Sequence, residues 1–518
     1  MRRARFVYFA SFVAALLLGL PSGPKPLIAS PQDAPGQRPN ILLITSEDNG
    51  AHLGCYGDKN VATPNLDKLA AEGVRFENVY VSTASCSSSR GTILTGLFPH
   101  QSGQFGLATH KFTMFRCWPT IPGILAADGY RTAVIGKLHV NPEKEAFKGC
   151  ERIDVGRNNN FLRRDVRAVA RGAGEFMRRS EDPFFLMVNY PDAHLPFLRQ
   201  QYGLPKKPLD GADVDMLPFV GADSPRLRDA VANYYNCVKR LDTGMGLLLA
   251  ELEQSGKADN TLVIYQGDHG AQFSRGKLTC YESGLRVPMI IRWPSRAMPG
   301  LVRPELVMTA DILPTVLDAA NIVANAETPR SLPGRSLLPL LDDGNVAWRE
   351  YMHGEYNAST PGYFFPQRAV RDGRYKLIVN LLQDRPNPIE RGYTHTSHLP
   401  GRHRHGTTQD EIDASRPEVR RAYATWREAP PMELYDLVED PCEFNNLADK
   451  PEYAEVQQRL ADELRDWRKR TNDPLLDPEK LERLTAEMDA MGDDLEYGYR
   501  KDPNFKWQYP SYLYSGMK

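Results

Sequence analysis

The sequence predicts an α/β fold: a large, mostly parallel sheet flanked by helices, then a smaller C-terminal subdomain with a short antiparallel sheet and a helix. Three observations predict it. Apolar runs at 41–44, 130–135, 184–190 and 261–266 suit strands covered on both faces. Helical patterns separate these runs, and strands alternating with helices imply a parallel sheet. Beyond Pro333-Gly334 the pattern turns to short strands, with an Asp372-Gly373 turn between two of them.

A chain of 518 residues can bury a large core and suggests one big domain plus a smaller one. The expected division is 1–30 signal segment, 31–38 linker, 39–345 large domain, 346–475 small subdomain and 476–518 extension. The net charge of −1 excludes a global attraction to nucleic acid or an anionic membrane, so an anionic substrate would need local cations. At the N-terminus, Met1-Arg2-Arg3-Ala4-Arg5 is basic, 6–20 is apolar and 21–37 is Pro-rich. That order reads as an export signal to the periplasm or the exterior. The apolar run of about 15 residues is short for a membrane span, so no stable membrane association is expected; an uncleaved anchor is the alternative. Seven cysteines (Cys55, Cys86, Cys117, Cys150, Cys237, Cys280, Cys442) show no CxxC spacing for zinc and are expected to be mostly reduced and buried.

Taken in order, the first strand ends in Glu47-Asp48. Two adjacent carboxylates there repel unless a cation sits between them, and they are hard donors suited to calcium or magnesium. Thr63, Pro64 and Gly73 outline a helix, and 74–81 alternates like a strand. It delivers the chain to Ser85-Cys86-Ser87-Ser88-Ser89-Arg90-Gly91-Thr92, a small-residue turn opening a helix. A helix N-terminus favours an anion, Arg90 adds a permanent cation, and a thiol at Cys86 would be acidified. A helix over 119–128 and a strand over 130–135 follow, ending in Gly136-Lys137-Leu138-His139. In an extended segment Lys137 and His139 share a face, and histidine titrates near neutrality as a general base should. The third run leads to His194. A long helical pattern at 227–253 reads as packing, and the fourth run leads to Asp268-His269. A strand at 288–293 and a helix from 311 complete the large domain. Ligands bind at the carboxyl ends of parallel strands, so all four polar clusters should meet on one edge.

The stretch from Cys86 to Gly96 resembles the sulfatase signature, Cys-x-Pro/Ala-Ser-Arg followed by Leu-Thr-Gly. Cys86, Ser89, Arg90 and Leu94-Thr95-Gly96 match, with Ser88 where the family has Pro or Ala. The resemblance implies an alkaline phosphatase-like core and a formylglycine made from Cys86 by a formylglycine-generating enzyme. It implies one divalent metal, calcium by expectation with manganese or magnesium as alternatives, held by Glu47, Asp48, Cys86, Asp268 and His269. It assigns sulfate binding or proton transfer to Arg90, Lys137, His139, His194 and Lys277. Within the family, 334–341, 365–381 and 433–473 resemble the sulfamidases, which act on N-sulfoglucosamine; that resemblance suggests His353 and Glu355 as sugar contacts. The implied function is hydrolysis of sulfate esters or sulfamates of a sulfated sugar or glycosaminoglycan. Alternatives are an arylsulfatase-like O-sulfatase, a phosphoesterase of the same superfamily, or a non-catalytic glycan-binding protein should Cys86 stay a thiol. The basic loop 398–406 reads as a solvated insertion with glycan contact as the alternative, and the Tyr-rich end after 475 carries no functional reading.

Overall fold

The computed structural model describes residues 38–156, 159–160, 162–323, 332–394, 405–492 and 498–514. The N-terminal segment 1–37 and most of the basic loop lie outside them. Eight strands form the large sheet: β1 (Asn40–Ser46), β2 (Val74–Tyr80), β3 (Arg131–Gly136), β4 (Glu151–Arg152), β5 (Phe184–Tyr190), β6 (Thr261–Gly267), β7 (Arg286–Arg292) and β8 (Leu301–Met308). Their order is β8-β2-β7-β6-β1-β5-β3-β4. Only β7 runs antiparallel to its neighbours β2 and β6. The central strands β1, β5 and β6 are buried along their whole length, as their continuous apolar runs require. One layer of helices includes Pro64–Ala71 and Pro225–Gln254; Cys86–Thr95 and Ile312–Ala319 pack against the opposite face.

Parallel register brings the functional ends together. Ser46 pairs with Tyr190 and with Gly267, and Gly136 pairs with Asn189. The segments bearing Glu47/Asp48, Lys137/His139, His194 and Asp268/His269 therefore all leave the sheet at the same edge.

The small sheet is antiparallel, β9 (Met352–Tyr356), β10 (Gln367–Arg371), β11 (Tyr375–Asn380) and β12 (Met432–Asp436) in sequence order, with the Ala454–Arg470 helix against it. Both sheets belong to one compact unit, residues 38–518. All seven cysteines are free thiols; Cys86, Cys237 and Cys280 are buried, whereas Cys117 is exposed, so burial is less general than expected. Among the described residues, no helix is long and apolar enough to cross a membrane.

Candidate active site

Cys86 opens its helix at the edge where the strands end. Ser85 before it is extended, and no side chain caps the helix. The turn is pinned from within: the Ser89 hydroxyl donates to the Asp268 carbonyl at 2.5 Å. The next turn is equally tight. A Cβ on Gly270 would lie 1.8 Å from the Ser283 carbonyl oxygen, so only glycine lets 268–270 pack there.

Around the thiol the charges alternate. Cys86 Sγ lies 3.2 Å from His269 Nε2 and 3.9 Å from Asp48 Oδ1. Lys277 Nζ donates to both Asp48 oxygens at 2.9 Å. Lys137 Nζ bonds Glu47. Arg90 is wholly buried; one nitrogen donates to Asn189 Oδ1 at 2.9 Å and another lies 3.1 Å from Asp268 Oδ2. Two of the supporting backbone positions carry positive φ without being glycine, Asp48 at 49° and His139 at 58°. Such conformations persist where surrounding structure over-determines them, and they cluster at functional sites.

The electrostatics follow from burial and from this ring. Burial alone would raise the Cys86 thiol, but Lys137, Lys277 and His269 together bring it below its ordinary value. Burial opposes charge on His269, yet Asp268, Cys86 and Asp48 push it up to about 9. Burial, with Lys137, Arg90 and Lys277 adding to it, holds His139 well below its usual range. Burial likewise holds His194 well below its usual range. Both are neutral imidazoles near pH 7.

Could this set hold a metal? Single ligand atoms from Glu47, Asp48, Cys86 and His194 lie within 4.8 Å of one another, and so do atoms from Asp48, Cys86, Asp268 and His269. Glu47 Oε2 is buried without a hydrogen-bond partner, and Asp268 Oδ2 has only the Arg90 guanidinium 3.1 Å away, a costly state that a further cation relieves. His269 Nδ1 lies 2.9 Å from the Gly270 carbonyl; donating there leaves Nε2 as the ligating nitrogen. The donors fit a divalent cation, and the oxygen-rich majority favours a hard one.

A cavity of about 500 Å³ opens over the thiol, lined by Cys86, Lys137, His139, His194 and Lys277 at its charged end. Glu47, Asp48, Arg90, Asp268 and His269 stand immediately behind these groups. His353 and Glu355 do not join them. His353 stacks on Trp467 at 4.9 Å and lies 3.1 Å from Glu463, and Glu355 accepts from the His100 backbone N–H at 2.8 Å. Neither of these two expected sugar contacts lines the cavity.

Several residues here carried no sequence signal. Asn189 orients Arg90, as β3–β5 register places it. Asp192 accepts from Arg164 at 2.6 Å and from Arg240 at 3.0 Å, and Arg164 also holds the His194 carbonyl at 2.6 Å. Arg275 sets the Lys277 turn by donating to the Glu443 carbonyl at 2.6 Å and lying 4.2 Å over the Tyr281 ring. His405 lines the cavity and stacks on Phe197 at 5.1 Å; it is the end of the basic loop that was expected to be solvated.

Comparison with known proteins shows which family the chain resembles. The Sulfatase family profile matches residues 39–322, and one described as N-sulphoglucosamine sulphohydrolase, C-terminal, matches 267–385. The human N-sulphoglucosamine sulphohydrolase is 32% identical over 473 residues, covering 84% of this chain and 91% of that one. An ulvan-active sulfatase of Formosa agariphila is 29% identical, covering 85% of this chain and 82% of its own. A solved structure in complex with its substrate D-glucosamine-2-N,6-O-disulfate superposes with a TM-score of 0.61 at 21% identity, over 84% of this chain and 99% of that one.

Proposed function

The chain belongs to the sulfatase family, and we propose that it is an exported hydrolase of a sulfated sugar, with N-sulfoglucosamine-type ends as the preferred substrate. It is a sulfuric ester hydrolase by family. The finer reading rests on one observation: Cys86 stands at a helix N-terminus 3.2 Å from His269 Nε2, in a cavity whose charged end carries Lys137 and Lys277. The name of the human relative and the ligand of the solved structure support a sulfated glucosamine.

A divalent metal held by Glu47, Asp48, Asp268 and His269, calcium by our reading, would supply charge, and the aldehyde made by oxidising Cys86 would supply, as its hydrate, the attacking oxygen. The chain's own residues do the rest. Lys137, Lys277 and Arg90 bring positive charge to where a sulfuryl group gathers negative charge, by preorganised electrostatics in a buried site. His139, neutral near pH 7, is placed to accept a proton; His194 shares the cavity as a second neutral imidazole able to hydrogen-bond the sulfate or its leaving group.

Cys86→Ala should lower sulfate release by about 10⁴-fold or more while leaving the thermal unfolding curve in place. Undiminished release would refute the reading. Peptide mass spectrometry of Cys86 tests the oxidation, which removes about 18 Da. Matched sulfate and phosphate esters of one sugar distinguish this function from a phosphoesterase.

A further inference from the structure

The Tyr-rich end of the chain packs behind one wall of this cavity. Besides its charged residues, the cavity is lined by Leu107, Thr109, His110, Thr360 and Tyr363. A sulfate belongs among the cations, so this wall faces the part of the substrate that the sulfate leaves. Its central piece is the 3-10 turn Ala108–His110. One end of that turn is tied to the nucleophile's own helix, since Ala108 N–H donates to Ser87 Oγ at 2.9 Å. Leu107 N–H donates to the Ser359 carbonyl at 3.0 Å.

The other end is gripped by the C-terminal extension. The Tyr499 hydroxyl lies 2.6 Å from His110 Nδ1, and Trp507 Nε1–H donates to the His110 carbonyl at 2.9 Å. Lys111 Nζ bonds the Asp502 carbonyl. Tyr509 accepts from Thr113 N–H at 2.7 Å and donates to the Gly103 carbonyl at 3.0 Å. Trp507 stacks on Phe112 at 4.9 Å, and Tyr509 lies 5.4 Å from Phe105. Tyr499 is buried, packed between Phe505 and Trp507. A surface tail held only for stability needs no hydroxyl on the imidazole of this wall.

We infer that the extension is a specificity element: Tyr499 is a positioning residue that fixes the imidazole of His110, and His110 binds a ring hydroxyl of the sugar on the leaving-group side. This rests on the sulfated-sugar reading above. It separates two classes of substrate. A small aryl sulfate offers the same sulfate but no hydroxyl, so it gains nothing from the position of His110. A sulfated glucosamine does, and a pyranose fits a cavity of this size.

The test compares 4-nitrophenyl sulfate with a panel of mono-sulfated glucosamines, using full-length protein. Tyr499→Phe keeps the packed ring and removes only the hydroxyl. For the best sugar of the panel it should raise KM about five- to tenfold with kcat nearly held, because lost ground-state binding appears in KM. Its kcat/KM for 4-nitrophenyl sulfate should stay within about twofold. His110→Ala should show a similar or larger sugar loss, and adding Tyr499→Phe to it should cost little more, as expected for two groups acting through one contact. Equal losses on both substrates, or no loss on the sugar, overturn the inference and leave the sulfatase reading standing. A wild-type chain that turns over the aryl sulfate and none of the sugars overturns both this inference and the substrate reading. Trp507→Phe, which loses the bond to the His110 carbonyl, provides a second variant should Tyr499→Phe fold poorly; the same KM-only loss is expected and the same outcomes overturn it.

Discussion

Glu47, Asp48 and Asp268 at the edge of the large sheet are buried as deeply as Glu355 and Asp473 beside the small one. Both groups sit among arginine and histidine. Their bonding differs. Asp473 accepts from Arg368 at 2.8 and 3.0 Å and from Arg468 at 2.6 Å, while Glu355 accepts from the His100 backbone and lies 2.8 Å from His100 Nδ1. Every oxygen of that pair is occupied, and none faces the cavity. At the sheet edge, Glu47 Oε2 has no hydrogen bond and Asp268 Oδ2 has only Arg90 beside it, and the neighbouring groups open onto a space of about 500 Å³. A saturated buried ion pair holds a fold in register; an under-bonded one beside a cavity is set to receive a ligand.

That contrast breaks most visibly at Asp268. Asp268→Asn keeps an acceptor for the Asp48 N–H, now 2.9 Å from Oδ1, but removes a charge from the proposed metal set. Sulfate release should fall by about 10²–10³-fold, the scale of losing one preorganised charge, with little change in the unfolding temperature of the metal-free protein. Asp473→Asn should do the reverse. It strips the charge that Arg368 and Arg468 share, so unfolding should ease by about 3–5 kcal/mol, while the folded fraction keeps its kcat. Denaturant titration and active-site-normalised kinetics on both variants read the pair of effects. Should Asp473→Asn lose kcat and Asp268→Asn lose stability, the contrast is void. Metal removal sharpens the same point. Chelation should lower the wild-type unfolding temperature, and calcium at about 100 times its dissociation constant should restore about 2.7 kcal/mol. Asp268→Asn should show a much smaller calcium response in the same melting assay.

Much of this was legible in the residues. Long apolar runs ending in paired ionisable groups gave the sheet, its parallel sense and the shared edge, because burial on both faces leaves a strand few other sequences. Glu47/Asp48, Lys137/His139 and Asp268/His269 each sit one to three residues past a strand end, where topology alone makes them neighbours. His353 and Glu355 lie away from the cavity for a physical reason. A carboxylate on a strand says nothing about which distant partner folds onto it, and here His100 and Arg368 do so, with His100 255 residues away. The extension was illegible for a related reason. Its aromatic rings have no period, and their partners, from Gly103 to Phe115, lie about 390–406 residues earlier. The long arms of Arg164, Arg240 and Arg275 likewise support the site from segments whose sequence shows only ordinary basic residues.

The smallest expected effect tests whether saturation is complete on the structural side. Glu443 packs beside β11, where Lys376 Nζ lies 2.9 Å from it and 3.2 Å from Glu282. One lysine thus serves two carboxylates. Glu282 also has Arg371 and the Tyr80 hydroxyl, so it takes the charge and is held down at about 2, although burial pushes the other way. Burial pushes Glu443 up to about 7, with Glu282 adding to the push and Lys376 resisting it. A carboxyl raised from 4.5 to about 7 binds its proton more tightly folded than unfolded. Its contribution is therefore intact below pH 4.5 and is lost as pH rises toward and through 7. Glu443→Gln fixes the protonated shape. It should leave the unfolding temperature unchanged at pH 5 and raise it by about 2 °C at pH 8, on the scale of 1 kcal/mol in a large domain. Because the Glu443 carbonyl holds Arg275, and Arg275 sets the Lys277 turn, the same variant should also flatten any decline in activity between pH 7 and 8 that follows loosening of this joint. No rise at pH 8 would mean that the ionised carboxylate is fully compensated there, and that this side of the molecule has no charge left unmatched.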